Sequence, residues 1–179
     1  MRVFISIDIP QSIKDKIMEV QSKLPEFEGK LTEEGNFHLT LKFLGEVNNK
    51  QIEKIKSLLK EIKFPQFETK LSNLGFFDNL KSSKYKQRQI IWISMTNCEK
   101  LQKLIDEKLK GLFKKEQRFM GHLTIARLKK LNNKNLFLKN LVNISIPEIS
   151  FKVKHFELKQ STLREKGPKY ITLEQYNLI

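Results

Sequence analysis

The chain has 179 residues, and its 34 lysines and arginines against 20 aspartates and glutamates give a formal net charge of +14. This length suits one domain, or two small lobes that share a core, and the 39% hydrophobic content argues against disorder and against a large multidomain architecture. The charge favours an anionic partner, although basic composition also serves solubility and names no substrate.

The sequence shows no targeting or membrane-spanning segment. No apolar run approaches the roughly 18 residues that a membrane helix needs, and Asp8 and Pro10 interrupt the apolar start of the chain. Cys98 is the only cysteine, so an internal disulfide and a cysteine-rich zinc cluster are excluded. We therefore expect a soluble, cytoplasmic protein from a reducing compartment, with no membrane partner.

The first half of the chain predicts alternating strands and helices. Val3 to Ile9 alternates as a strand does, and Pro10 stands where a helix can begin; helical spacing continues to Leu24. A turn region with Gly29 and Gly35 follows. The remaining predictions are a strand over 37–44, a helix from Asn48 and Asn49 to Ile62, a strand over 67–74 and an exposed loop over 78–87.

The second half repeats this order. Residues 90–95 predict a strand, and Thr96 with Glu99 forms a capping box for a helix through Leu112. The remaining predictions are a strand over 120–128, a helix over 132–141, a strand over 149–158, a turn at Gly167-Pro168 and a strand over 170–176.

The two halves also share local sequence. Residues 4–7 (Phe-Ile-Ser-Ile) have a counterpart at residues 92–95, and His38-Leu39-Thr40 recurs 84 residues later as His122-Leu123-Thr124. Chance similarity between apolar strands could explain the match of residues 4–7 with 92–95. The repeated His-Leu-Thr tripeptide, at the same place in each half, argues against chance. We predict one α+β domain over residues 1–179, with an internal repeat at approximately 1–80 and 87–165 that forms two lobes about a pseudo-twofold axis.

The repeated motif combines imidazole and hydroxyl groups on one face. Because alternate residues of a strand face the same way, His38, Thr40 and Lys42 are predicted to share one face, and His122 and Thr124 another. A neutral imidazole accepts a proton and a protonated one donates it, so two histidines can flank a phosphorus centre. Hydroxyls and cations between them would hold the nonbridging oxygens, and a strained 2′,3′-cyclic phosphate suits this apparatus.

Other interpretations of the histidines stay open at this point. A single strand histidine is more often structural than catalytic, and two imidazoles could also bind zinc. However, the chain has no His-Glu-x-x-His motif, no cysteine pair and no carboxylate within either His-x-Thr motif to complete a usual metal site. His155 lies outside both motifs and is interpreted as a structural or surface residue.

These motifs resemble those of the 2H phosphoesterase superfamily, and specifically the LigT-like RNA 2′,3′-cyclic phosphodiesterases, also called 2′-5′ RNA ligases. The resemblance covers nearly the whole chain. Its carriers are residues 2–10 (RVFISIDIP), 37–47 (FHLTLKFLGEV), 121–127 (GHLTIAR), Ser161-x-Leu163 and Gly167-Pro168-x-Tyr170.

The resemblance implies a bilobal fold with antiparallel sheets around a central cleft and helices outside. It implies hydrolysis of an RNA or nucleoside 2′,3′-cyclic phosphate to a 2′-phosphate without a metal or other cofactor, and it leaves room for 2′-5′ ligase activity. His122 would accept the proton of water and His38 would donate one to the leaving 3′ oxygen. Thr40 and Thr124 would bind the phosphate.

Two cations are further candidates for phosphate binding. Arg127 matches the family's arginine position, but strict alternation puts it on the face opposite His122, so it reaches the cleft only if the strand twists, bulges or ends there. Lys42 is a candidate because alternation places it beside His38. Most of the remaining positive charge would steer a longer RNA.

The sequence departs from the family pattern at two places. Gly121 stands where many members have proline, and Gln89 where many have arginine, which leaves a substrate role for Arg88 in doubt. Phe76-Phe77 could stack on a base but favours the core, and Trp92 is predicted to be core or the floor of the cleft. Lysines 81, 84 and 86 with Arg88 form either an RNA-tracking or a merely solvated loop.

Two alternatives to this enzyme belong to other classes. A basic RNA-binding module with structural histidines would bind RNA in a salt-sensitive way without turnover. A metal-dependent hydrolase would lose its activity on chelation. The paired His-x-Thr motifs favour the metal-independent enzyme.

Overall fold

The fold is an antiparallel sheet with helices packed on it. The structure is a computed structural model and describes residues 1–78, 89–164 and 167–179. In these ranges four α-helices accompany a nine-stranded sheet in which the paired strands are antiparallel, and the predicted α+β class is confirmed. None of the helices in the described ranges has the length and apolar character to cross a membrane.

The elements follow the predicted order closely. The helices are α1 (Gln11–Ser22), α2 (Asn49–Lys60), α3 (Glu99–Leu109) and α4 (Lys134–Val142). The strands are β1 (Arg2–Asp8), β2 (Glu28–Leu31), β3 (His38–Glu46), β4 (Phe67–Asp78), β5 (Gln89–Met95), β6 (His122–Lys130), β7 (Ile149–Val153), β8 (His155–Arg164) and β9 (Gly167–Asn177).

Three predictions of elements need correction. The region around Gly29 contains a strand, β2, which pairs with β6, and the single strand predicted over 149–158 is two strands, β7 and β8. β4 continues to Asp78, where a loop was expected. The lysines at 81, 84 and 86 and Arg88 lie outside the described residues.

The two predicted helix caps had opposite outcomes. The Asn48 side chain accepts a hydrogen bond from the backbone N–H of Gln51, whose own side chain accepts one from the Asn48 backbone N–H, so α2 begins with a capping box. The predicted box at Thr96 is wrong. Its hydroxyl instead accepts a hydrogen bond from the Lys70 backbone N–H, and α3 begins after Cys98 without a side-chain cap.

The order of the strands places the two histidine motifs side by side. The order is β7-β4-β5-β6-β3-β1-β8-β9, so four strands lie on each side of the β3–β6 junction. At this junction the fully buried Leu39 pairs with the fully buried Leu123. Each group of four includes strands from both halves of the chain, because β4 pairs with β5 and β8 pairs with β1.

The helices cover the apolar face of the sheet and cross between the two groups. α1, which follows β1, packs against β6 and β7, whereas α3, which follows β5, packs against β3 and α2. Ile17 of α1 and Ile105 of α3 are fully buried in the one continuous core. The half-buried histidines and threonines lie on the opposite face of the sheet, at the junction.

A bulge in β3 contradicts the predicted position of Lys42. Ser6 pairs with Thr40 but the preceding Ile5 pairs with Lys42, so Leu41 is the extra residue. Leu41 and Lys42 are consequently buried in succession, and alternation resumes one residue out of phase. Lys42 therefore points away from the face that carries His38, and the expectation that it lies beside the reacting phosphate is wrong.

The Lys42 ammonium is instead part of a buried polar network. It forms an ion pair with Asp106 of α3 and donates a hydrogen bond to the Lys114 carbonyl at 2.8 Å. Asp106 also accepts hydrogen bonds from the Gln102 side chain at 2.7 Å and from the Glu116 backbone N–H at 2.9 Å. Burial raises the pKa of Asp106, but these partners outweigh burial and hold the pKa below its ordinary value.

Replacing one partner of this pair should destabilise the fold more than replacing both. In Lys42→Met the Asp106 charge stays buried without its cation, and we expect a loss of about 3–5 kcal/mol of unfolding free energy. The double variant Lys42→Met/Asp106→Asn has no unpaired charge and should recover most of that loss. Urea unfolding at pH 7 measures both, and equal stabilities of the single and double variants would contradict the expectation.

Candidate active site

The β3–β6 junction brings both histidines and both threonines to one face of the sheet. Because the strands are antiparallel and Leu39 faces Leu123, His38 lies beside Thr124 and His122 lies beside Thr40. The two histidines are then diagonal neighbours, for which a regular sheet gives a separation of about 7–8 Å. Both imidazoles are half-buried on this face of the sheet.

Each imidazole is held by the same backbone contact. Nδ1 of His38 lies 2.8 Å from the carbonyl oxygen of Asn36, and Nδ1 of His122 lies 2.8 Å from that of Met120. A carbonyl oxygen only accepts, so Nδ1–H is the donor in both cases. In each neutral ring Nε2 is consequently the unprotonated nitrogen, available to exchange a proton in the cleft.

The surroundings of His38 are aromatic on one side and charged on the other. Its ring lies 5.1 Å from the Phe4 ring and 5.0 Å from the Tyr170 ring, measured between centroids. Its Nε2 lies 3.2 Å from the Thr40 hydroxyl. Asp8, the residue paired with His38 on β1, forms an ion pair with the buried Lys159. The ring is therefore positioned between apolar surfaces and a nearby carboxylate.

The surroundings of His122 are aromatic as well. Phe77 lies 5.3 Å and Trp92 lies 6.2 Å from its ring, measured between centroids. A side chain at position 75 would collide with the Trp92 ring, so Gly75 allows that ring to lie against β4. Phe76, by contrast, packs against the core. Of the Phe-Phe pair, one side chain is therefore core and the other contacts the site, and Trp92 contributes to the floor of the cleft.

Burial depresses the pKa of both imidazoles. It lowers the pKa of His38 to about 4; the hydrogen bond to Asn36 and the Asp8 charge oppose this shift, and Lys159 and Arg127 add to it. Burial also lowers the pKa of His122, opposed by the hydrogen bond to Met120 and reinforced by Arg127. Both rings are therefore neutral at pH 7 in the unliganded protein.

A bulge in β6 brings Arg127 to the histidine face. Trp92 pairs with Thr124 but Ile91 pairs with Ala126, so Ile125 is the extra residue and the alternation shifts after it. Arg127 is exposed, and its charge lowers the pKa of His38, His122 and Tyr170 alike. The guanidinium therefore lies on the same face of the sheet as the two imidazoles.

The corresponding bulge in β3 exposes Phe43, a residue that the sequence reasoning missed. Phe43 lies 84 residues before Arg127, the same offset that relates the two His-x-Thr motifs. Its side chain is 71% exposed, and its ring lies 6.3 Å from that of Phe4. The signal was present in the offset, but strict alternation assigned Phe43 to the core face.

The other sequence candidates lie elsewhere. His155 lies on β8 with its Nε2 3.5 Å from a Glu157 carboxylate oxygen, as expected for a structural residue. At Gly121 a side chain would collide with the Met95 carbonyl, so close strand packing rather than flexibility accounts for the glycine. In the described ranges, no three histidine, cysteine or acidic side chains come together as a metal-binding group.

Comparison with a family model gives an extended match. The model of the LigT like Phosphoesterase family matches residues 7–85 and 95–170, which include both His-x-Thr motifs. The match therefore covers most of the chain and both sides of the cleft.

Curated relatives align over nearly their full lengths. A Methanocaldococcus jannaschii protein named RNA 2′,3′-cyclic phosphodiesterase is 36% identical over 98% of this chain and 100% of its own length. A protein of the same name from Archaeoglobus fulgidus is 33% identical over 98% of this chain and 99% of its own length.

Solved structures share the fold. A crystal structure of a Thermus thermophilus protein superposes with a TM-score of 0.81 at 23% identity and covers 99% of this chain and 97% of its own. The apo structure of Escherichia coli LigT gives a TM-score of 0.76 at 23% identity, with 99% and 96% covered. These likenesses show that this chain has the LigT-like fold.

The depressed pKa values are directly measurable. We expect both imidazoles to titrate below pH 6.5 in the free protein, His38 near pH 4, because burial favours the neutral ring. Long-range proton–nitrogen NMR should show Nε2 unprotonated in the neutral rings. The pKa of His38 is lower in the folded than in the unfolded chain, so the unfolded chain takes up the proton first and the free energy of unfolding should fall as the pH drops from about 6.5 to about 4. In His38→Gln this fall should be smaller. Titration of His38 above pH 6.5 would contradict this account.

Proposed function

The chain belongs to the LigT-like phosphoesterase family, and we propose on that basis that it is an RNA 2′,3′-cyclic phosphodiesterase. It would convert the cyclic phosphate at an RNA end, or of a nucleotide, to a 2′-phosphomonoester. The observation that carries the proposal is the pair of imidazoles on one sheet face, on strands paired at Leu39 and Leu123, each with its Nδ1–H bonded to a backbone carbonyl and its Nε2 left unprotonated. The printed names of the curated relatives support the same activity.

The first step is placement of the phosphate. The cyclic phosphate is a monoanion, and it would lie between the two imidazoles with its nonbridging oxygens toward the Thr40 and Thr124 hydroxyls. Arg127 would add a full positive charge as negative charge gathers on those oxygens in the transition state. Donors that are already positioned need little reorganisation during the reaction.

The second step is attack by water. Nε2 of His122 would accept a proton from the water as its oxygen bonds to phosphorus. The ring is suited to this role because it is neutral at pH 7 and its Nδ1–H is bonded to the Met120 carbonyl. That carbonyl also stabilises the imidazolium that forms.

The third step is departure of the 3′ oxygen. Nε2 of His38 would donate a proton as the bond between phosphorus and O3′ breaks, leaving the phosphate on O2′. His38 is neutral in the free protein, so its ring must be protonated when the substrate is bound. The bound phosphate anion and the Asp8 charge both favour this, because each raises the pKa of the ring. The same displacement with an RNA 5′ hydroxyl in place of water would bond the 5′ oxygen to phosphorus as O3′ leaves, and would so form a 2′-5′ linkage.

Phe43 supports a nucleotide rather than a simple phosphate ester as the substrate. An exposed aromatic ring beside a phosphate site provides a stacking surface for a base, and stacking tolerates any base. The net charge of +14 would attract a longer RNA by long-range steering. The proposed partner is therefore RNA with a cyclic phosphate end, or the corresponding cyclic nucleotide.

Loss of either histidine should greatly slow turnover. We expect His38→Ala and His122→Ala each to lower kcat by about 10²–10⁴-fold on RNA with a cyclic phosphate end, in chelator, because each removes one proton-transfer group. His155→Ala is the matched control and should keep full activity. Phosphorus NMR should show a 2′-phosphate as the product.

Each other outcome has a distinct meaning. A 3′-phosphate would overturn the assignment of His38 as the acid, and loss of wild-type activity in chelator would indicate a metal-dependent hydrolase. Salt-sensitive RNA binding with no turnover would favour the RNA-binding module.

Removal of the Phe43 ring should weaken binding of the base without affecting the chemistry. We expect Phe43→Ala to raise KM for a cyclic nucleotide by roughly 5- to 100-fold, the range for one base stacked on an aromatic ring. Leu163→Ala removes a similarly exposed apolar side chain, 72% exposed, and should change little. A base-free ribose 2′,3′-cyclic phosphate should be hydrolysed equally by wild type and Phe43→Ala, and a loss on that substrate would contradict stacking.

A further inference from the structure

The position of Arg127 depends on the bulge at Ile125. In a regular strand Arg127 would lie on the face opposite His122, and a shift of one residue moves every later side chain to the other face. Ile125 and Ala126 are both fully buried, which marks the break in alternation. Whatever stabilises the bulged register therefore also keeps the guanidinium in the cleft.

A side chain from a distant helix holds this bulge. Gln21 of α1 is 7% exposed, and its Nε2 donates hydrogen bonds to the Ile125 carbonyl at 2.7 Å and to the Thr32 carbonyl at 2.9 Å. The Ile125 carbonyl accepts a second hydrogen bond, at 2.8 Å, from the Thr32 backbone N–H. One amide group thus joins the extra residue of β6 to the segment that follows β2.

Loss of these hydrogen bonds would take donors away from buried carbonyl groups, which is costly inside the core. A buried carbonyl without a donor loses the full hydrogen bond that water would have supplied. With an apolar side chain at position 21, the Thr32 carbonyl would lose its Gln21 donor, and the Ile125 carbonyl would keep only the Thr32 N–H. The bulged register would then have less advantage over the regular one.

We propose that Gln21 is a positioning residue that keeps Arg127 in the cleft by stabilising the bulge at Ile125. The inference rests on the proposed function, in which Arg127 binds the reacting phosphate. Gln21 itself does not touch the substrate, and its effect on the reaction passes through Arg127.

The other half of the site has a comparable device, which supports the inference. The bulge at Leu41 is followed by Lys42, whose buried ammonium is bound by Asp106 of α3. In each case a helix that packs across the junction supplies a buried polar side chain: Gln21 of α1 binds the Ile125 carbonyl, and Asp106 of α3 binds the Lys42 ammonium. The exposed residue that follows each bulge, Arg127 or Phe43, faces the cleft. Two independent bulges with the same kind of support are harder to explain as local irregularities.

A double-mutant cycle tests the proposal. Gln21→Met keeps the side-chain shape but removes both donors, and we expect it to lower kcat/KM for a 2′,3′-cyclic nucleotide about 10- to 100-fold, as for a misplaced catalytic group. In an Arg127→Ala background the same change should cost less than about twofold, because no guanidinium remains to be misplaced. Val20→Ala, a cavity in the same helix, is the matched control and should lower stability without lowering kcat/KM in the folded protein.

A second readout does not depend on turnover. Inorganic phosphate titrated into the protein should shift the side-chain NMR signal of Arg127 in the wild type and in Val20→Ala, and should bind about tenfold or more weakly to Gln21→Met. If the wild type binds phosphate in this way but hydrolyses no cyclic phosphate, the proposed function fails while the positioning role stands. Equal losses for Gln21→Met with and without Arg127, or unchanged phosphate binding in Gln21→Met, would overturn the positioning role.

Discussion

The contact on which the site depends is the single antiparallel pairing of Leu39 with Leu123 at the junction of the two strand groups. Both leucines are fully buried, and burial of two aliphatic side chains there fixes the register of β3 against β6. In that register the residues on either side of each leucine must face the cleft. The hydrophobic core thus determines which four polar groups meet, although none of the four belongs to the core.

The same packing sets the proton chemistry of the site. Rings placed against Phe4 and Tyr170, or against Phe77 and Trp92, lose part of their contact with water, and the neutral imidazole is favoured. Nearby cations of this basic protein add to the effect, because their positive charge also opposes protonation of the imidazoles. The negative charge of a bound substrate opposes both influences by favouring the imidazolium, which couples protonation of His38 to the arrival of the phosphate.

The sequence was sufficient for the parts of this structure that obey simple periodicity. Strand and helix order, the cap at Asn48 and the shared face of His38 and Thr40 follow from alternation and helical spacing. Alternation failed for Lys42, Phe43 and Arg127, because a bulge adds one residue to the strand. In β3 the extra residue is followed by a polar lysine and leaves no mark in the apolar pattern, and in β6 the adjacent apolar pair Ile125-Ala126 is its trace. The other failures have local causes. β2 is short and all four of its residues are exposed, so it shows no apolar alternation. The Thr96 hydroxyl accepts a hydrogen bond from the neighbouring strand rather than from its own helix. Partners that lie far apart along the chain, such as Gln21 with Ile125, are invisible to spacing within one segment.

The interlaced order of the strands bears on how the chain folds. β1 precedes the other strands along the chain, yet one of its two neighbours, β8, contributes residues 157–160, so one edge of β1 stays unpaired until that distant segment folds. Pairings between such distant segments carry a large loop-closure entropy and slow folding. We therefore expect the pairing of β8 with β1 to form late in folding, and until it forms the open edge of β1 can pair wrongly with another strand.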